Sequence, residues 1–213
     1  MALIIDIFHN LPTYLHMWAT DYGMGLYVIL FLIIFAETGL VVTPLLPGDS
    51  LLFATGALLS MHIPGLELWI MIPLLWLAAL CGDLVNYHVG QWIAPKLFNS
   101  YEARWLNRKH LDRTKEFYQK HGGKTVILAR FIPIVRTYAP FVAGLGGMKL
   151  PTFLVYSMGG GFLWIGSFTT LGYFFGNIPA VKSNFQYVIL AIIVVSLVPV
   201  AIEFLRHKRP THG

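Results

Sequence analysis

Lysine and arginine are missing from the first 95 residues of this 213-residue chain, cysteine occurs once, and charged residues make up only 12%. Each shortage excludes something. A soluble domain draws about a quarter of its residues from Asp, Glu, Lys and Arg, so half that supply cannot cover a water-facing surface. The lone Cys81 sits in an apolar run, where it forms no internal disulfide and no zinc ligand set and reads as a small packing residue. No Gly-rich phosphate loop, HExxH helix or GxSxG elbow is found, which leaves the common hydrolases without a foothold. No basic stretch precedes an apolar core at the start, so no secretory signal is expected there. What remains is apolar: 56% hydrophobic residues and a mean hydropathy of +0.66. These figures describe an all-α integral membrane protein.

Charge sets the expected orientation. Residues 1–95 carry six acids and are formally −6, whereas residues 96–213 hold all fifteen basic side chains against four acids and are formally +11. Eight of the fifteen lie between Lys96 and Lys124. Because Lys and Arg accumulate on the cytoplasmic side, the basic segment 96–124 and the tail 206–213 are both expected inside. Trp92, Phe98, Tyr101, Trp105, Phe117 and Tyr118 interleave with that segment, a pattern that suits anionic lipid head groups at an interface rather than nucleic acid.

A hydrocarbon core about 30 Å thick needs roughly 20 apolar residues in a helix. Three stretches qualify as spans: 66–93, 150–176 and 184–205. Two others are apolar but interrupted. Residues 24–60 are broken by Thr43-Pro44-Leu45-Leu46-Pro47-Gly48-Asp49-Ser50, and residues 125–147 by Pro133, Arg136 and Pro140 before Ala143-Gly144. Both are expected to be re-entrant hairpins that enter and leave on one side, their polar backbone turned inward. Residues 1–20, interrupted by Asp6, His9, Asn10 and Pro12, are expected to form an amphipathic interfacial helix on the outer surface. The whole reads as a single membrane domain over residues 1–213.

Sliding the chain against itself by 86 residues superposes Pro47 on Pro133, Tyr87 on Tyr173 and Gly90 on Gly176. Each half then reads as a hairpin followed by a span, entering from opposite faces. This is the inverted repeat that many secondary transporters use to place a site near the midplane, here with an additional C-terminal transmembrane helix.

Ionisable groups inside a bilayer cost about 2.5 to 3.5 kcal/mol at the centre and are functional candidates by default. Glu37 and Asp49 fall in the first hairpin, Arg130 and Arg136 in the second. Arginine keeps its charge at physiological pH and offers a planar fork that suits phosphate. A carboxylate held away from water can instead take up and release a proton, so Glu37 and Asp49 are the expected proton-coupling groups. The alternative is a buried ion-pair cluster that only fixes hairpin docking. Asp83, four residues from Tyr87 on one helical face, is read first as an interfacial cap to the span and second as part of a transport path. His88 reads as interfacial, and His110 and His121 have no metal spacing.

At Glu37-Thr38-Gly39, Leu46-Pro47-Gly48-Asp49-Ser50 and Ala129-Arg130-Phe131-Ile132-Pro133-Ile134-Val135-Arg136-Thr137, the chain resembles the DedA family. The resemblance covers nearly the whole length, including Phe117-Tyr118-Gln119-Lys120-His121-Gly122-Gly123 and Pro140-Phe141-Val142-Ala143-Gly144. It implies an inner-membrane protein of the wider VTT (SNARE-associated) group, linked to lipid translocation and dependent on proton motive force. Among bacterial members are transporters that return undecaprenyl phosphate to the inner leaflet for envelope polymers; others act on phospholipids. By motif, Glu37, Asp49, Arg130 and Arg136 match that family's essential acidic and basic residues. The family commonly has Gly-Arg where this sequence has Gly90-Gln91, so that arginine's contact has no counterpart here.

The expectation is therefore a proton-linked flippase for a polyprenyl phosphate, with Arg130 and Arg136 on the phosphate and Pro47, Gly48, Pro133, Pro140 and Gly144 shaping the hairpins. Ser50, Thr137, Asp83 and Tyr87 are secondary candidates. No metal, cofactor or nucleic acid is expected, and a homo-oligomer is left open. Competing readings are a phospholipid scramblase, a proton-coupled exporter of small molecules and a structural assembly factor. An intramembrane lipid phosphatase is disfavoured because Ser50 has no nearby histidine.

Overall fold

The structure is a computed structural model that describes residues 11–40, 48–99, 126–127, 130, 132–184, 187–188 and 191. The described residues contain helices and no strand: α1 Leu11–Tyr22, α2 Gly25–Gly39, α3 Gly48–Leu59, α4 Leu68–Asn99, α5 Pro133–Leu145, α6 Leu150–Phe175 and α7 Pro179–Ser183. Most of the expected span 184–205, most of the basic segment 96–124 and the whole tail 206–213 lie outside the described residues. So do residues 1–10, and with them half of the expected interfacial helix. Its second half is α1, which runs on to Tyr22 and buries Leu15 and Ala19, one turn apart, in the core.

The expected span 66–93 appears as α4, six residues longer at its C-terminal end, and the expected span 150–176 as α6. At 1.5 Å per residue these helices are about 48 and 39 Å long. Among the described residues one helix, Leu68–Ala94, is both long and apolar enough to cross a membrane; three consecutive glycines and several hydroxyls dilute the hydropathy of α6. Val28 and Leu32 on α2 and Val155, Phe162, Leu163 and Phe174 on α6 are exposed, an apolar exterior that lipid can cover.

Gly48 opens α3 and Pro133 opens α5, and each helix follows a break in an apolar stretch. The expected break at Arg136 and Pro140 does not occur. The α5 helix passes through both residues, and the irregular residue is Ile132, extended at φ −114° and ψ 107°. Pro133 suits the first helical position, where no N–H is needed. Pro140 withholds one hydrogen bond from the Arg136 carbonyl, a local loss that packing of α5 on α4 can hold in place.

Two close crossings arrange the rest. The α3 helix lies on α6 and α5 lies on α4. A methyl group at Gly56 would strike the Thr169 carbonyl oxygen and one at Gly172 the Phe53 carbonyl oxygen. In the other pair, a methyl at Gly144 would strike the Tyr87 carbonyl oxygen and one at Gly90 the Phe141 carbonyl oxygen. Small residues at such points let backbones meet where lipid offers no hydrophobic drive. The crossings therefore match Phe53-x-x-Gly56 with Phe141-x-x-Gly144 and Thr169-x-x-Gly172 with Tyr87-x-x-Gly90. This corrects the uniform slide of 86: the short helices correspond at an offset of 88 and the long ones at 82. Tyr87 thus pairs with Thr169, one turn before Tyr173, because backbone contact at glycine sets the register and unequal loops absorb the difference.

Candidate functional site

A third crossing brings the charges together. On α2 and α4, Gly39 and Gly82 approach so closely that a methyl at Gly39 would lie 3.2 Å from the Gly82 Cα. Glu37 and Asp83 flank this contact and are both buried, and α5 packs on the same stretch of α4.

Arg136, in the first turn of α5, is shared between two carboxylates. Its Nη2 donates to Glu37 Oε1 at 2.5 Å and its Nη1 donates to Asp49 Oδ1. Asp49 lies in the first turn of α3, where the helix dipole favours an anion. The Gly48 N–H donates to Glu37 Oε1 at 3.1 Å, which ties the start of α3 to the end of α2. A side chain at residue 48 would displace the Glu37 carboxylate from this position, so Gly48 leaves the acid its place. Trp164 of α6 completes the group: its indole N–H donates to Asp49 Oδ1 at 2.8 Å, and its ring lies 4.4 Å from the Arg136 Cζ, a cation–π distance. Glu37 is 2% exposed, Arg136 5% and Asp49 7%, so these are charges removed from solvent.

Arg130 lies in a separate cluster. It donates through Nη2 to Asp83 Oδ2 and, at 3.1 Å, to the Ser157 hydroxyl, which itself donates to Asp83 Oδ2. This revises two expectations. Asp83 is not an interfacial cap: α4 continues to Asn99, which leaves Asp83 in mid-helix at 1% exposure. Nor do the arginines share one pair of acids, since Arg130 takes Asp83 while Arg136 takes both Glu37 and Asp49.

Asn86, one turn beyond Asp83, was not marked by the sequence. Its amide donates to the Thr38 carbonyl at 3.2 Å and to the Thr137 carbonyl at 2.7 Å, the residues that follow Glu37 and Arg136. Thr38 belongs to the last turn of α2, whose carbonyls lack helical donors, so Asn86 caps that end while gripping α5. Trp164 and Ser157 were also unmarked. Uncharged polar residues in apolar helices carry little signal before their partners are known, although Trp164 follows the three-glycine run on which large neighbours can close.

The remaining candidates are distributed around this centre. Ser50 is buried, and its hydroxyl has no partner among the described residues. Tyr87 donates to the Met148 carbonyl and stacks on Phe153 with ring centroids 4.6 Å apart, a packing role beside the site. Gln91, where the family commonly has arginine, donates to the Tyr87 hydroxyl at 3.1 Å. Gly144 makes the α4 crossing and Pro140 is buried within α5, whereas Pro47 lies outside the described residues.

Chemically, this is a buried constellation of three acids and two guanidiniums in two clusters, Glu37, Asp49 and Arg136 where α2 ends and α3 and α5 begin, and Asp83 with Arg130 beside Ser157 of α6. Two acid oxygens in it, Glu37 Oε2 and Asp83 Oδ1, are buried without a hydrogen-bond partner among the described residues.

Comparison with known proteins agrees with the class this architecture defines. A family model described as the VTT domain matches residues 46–174, which include every site residue named above except those on α2. The chain is 51% identical over 206 residues to Protein DedA of Escherichia coli (strain K12), covering 97% of this chain and 94% of that protein. It is 41% identical over 178 residues to an uncharacterized membrane protein of Mycobacterium tuberculosis (strain ATCC 25618 / H37Rv), covering 84% and 78%. It is 36% identical over 172 residues to the inner membrane protein YqjA of Escherichia coli (strain K12), covering 76% and 77%. No solved structure matches the chain. The chain belongs to the DedA family of VTT-domain membrane proteins.

Proposed function

We propose that this protein is a proton-motive-force-linked lipid transporter of the bacterial inner membrane that moves undecaprenyl phosphate from the outer to the inner leaflet. In this reading residues 24–60 and 125–147 are re-entrant from opposite faces, and the C-terminus is cytoplasmic. The lipid enters sideways, its phosphate reaches the arginines between the hairpins, and its tail stays in the bilayer.

The observation that carries the reading is Arg136 held between Glu37 and Asp49 against the ring of Trp164. A phosphate oxygen can replace a carboxylate oxygen on a guanidinium fork with little change in geometry. Charge then demands protons. The three buried acids and two arginines sum to −1 when all are ionised, so an entering phosphate worsens an existing excess unless the displaced carboxylates are neutralised. Taking a proton on Glu37 or Asp49 frees Arg136 for the ligand; losing it on the other side restores the pair and expels the phosphate. A cluster serving only as glue would be expected to satisfy its acids, and Glu37 Oε2 and Asp83 Oδ1, which have no hydrogen-bond partner among the described residues, favour the transport reading.

The test is flipping of labelled undecaprenyl phosphate in liposomes containing the purified protein, with a phospholipid as competitor. The expected result is carrier-lipid flipping that the phospholipid does not inhibit and that Arg136→Ala abolishes. Indifference to the head group would make the protein a scramblase, and a folded, fully active Arg136→Ala variant would reduce the cluster to hairpin docking.

A further inference from the structure

Arg130 and Asp83 form a site of their own. The Asp83 Oδ2 atom accepts from both Arg130 and the Ser157 hydroxyl, while its Oδ1 is buried with no partner among the described residues. Two glycines of α6 make the room: a methyl at Gly160 would lie 3.2 Å from Arg130 Cγ, and one at Gly161 3.5 Å from Arg130 Nη2. Ser157 and Trp164 are both buried and seven residues apart, so they share a face of α6 two turns, or about 10 Å, apart. One helix face thus carries two similar arrangements at two heights, each with an arginine, an acid and a neutral donor from α6.

We propose that Arg130, Asp83 and Ser157 form a second acid–arginine station for a phosphate monoester head group, in which Asp83 takes up a proton as the phosphate takes its place on Arg130. The inference rests on the transport reading above and adds a second proton carrier to it. Arg130 keeps its charge throughout. The Asp83 carboxylate gains a proton from water on the side of lipid entry, and the Ser157 hydroxyl turns to the phosphate oxygen. When the phosphate leaves, the proton leaves and the ion pair re-forms. Without that proton, Asp83 would be left as an unpaired anion in the bilayer interior, a costly state. Among the described residues the charged group facing Asp83 is Arg130; Glu37 on α2 and Arg136 on α5 act on Arg130 from the other station, and α6 presents the Ser157 hydroxyl.

The test is infrared difference spectroscopy of the membrane-embedded protein with and without a saturating short-chain prenyl monophosphate. Wild type is expected to gain two carboxylic-acid carbonyl bands on binding. Asp83→Asn should lose one, and Glu37→Gln should lose or shift only the other. Should Asp83→Asn fail to fold, Asp83→Glu keeps the charge and is expected to move the same band. Bands identical to wild type in the Asp83 variants would overturn the inference and leave the transport reading standing. Failure of the wild-type protein to bind the probe would overturn both.

Discussion

Trp164 donates its indole N–H to the carboxylate of Asp49 and at the same time places its ring against the guanidinium that Asp49 binds. One side chain from α6 therefore positions both members of an ion pair whose acid comes from α3 and whose base comes from α5. Trp164→Phe keeps a ring under Arg136 but removes the indole donor from Asp49, which keeps its bond to Arg136; a hydrogen bond to a charged group contributes about 1.5 to 3 kcal/mol. Flipping in proteoliposomes should fall by roughly tenfold or more with the fold intact, and Trp164→Leu should fall further because the cation–π contact goes as well.

Arg136→Lys preserves charge but not the fork. An ammonium group on a flexible stem cannot reproduce two fixed N–H directions toward Glu37 and Asp49. Activity close to that of Arg136→Ala is expected, whereas near-wild-type flipping by the lysine variant would mean that charge alone suffices. Arg136→Ala should also lower thermal stability in detergent by about 3 to 5 kcal/mol, since it removes the cation that two buried acids share.

Asn86→Leu removes the amide donor from the Thr38 and Thr137 carbonyls; Thr137 keeps its place in the α5 ladder, while Thr38, in the last turn of α2, loses its cap at a cost of about 1 to 3 kcal/mol. The two backbones bearing Glu37 and Arg136 then lose their common anchor. Lower flipping and a lower melting temperature are expected together, measured on the same preparation.

The glycine crossings carry a purely structural prediction. Gly56→Leu or Gly144→Leu should sharply reduce the yield of folded protein, because each added side chain meets a backbone carbonyl across the interface. Gly159→Ala and Gly166→Ala meet nothing among the described residues and should be tolerated, with size-exclusion profiles as the measurement.

The contrast between what the chain declared in advance and what it concealed follows from the same physics. Glu37, Asp49 and Arg136 stood out because an ionisable group in an apolar run is expensive, and their meeting followed from opposite charge. The sequence places Asp83 near the edge of a span ending at residue 93, whereas the six further residues of α4 put it in the interior. The pairing of Arg130 with Asp83 takes place where Gly160 and Gly161 of α6 leave room for the Arg130 side chain, a long-range fit that no local pattern announces. Proline misled at Pro140, where the helix persists because α4 holds it, but Pro133 did mark the start of α5. The repeat was visible in its Gly-containing motifs and misplaced by a turn, since identities of Tyr and Gly say less than the backbone contacts those glycines permit.

The most direct measurement is the rate at which reconstituted protein flips undecaprenyl phosphate with and without an imposed pH gradient, in wild type and in Glu37→Gln. Acidification of the entry side is predicted to accelerate wild type and to accelerate the Gln variant markedly less. A Glu37→Gln variant that retained the full wild-type response would contradict the account.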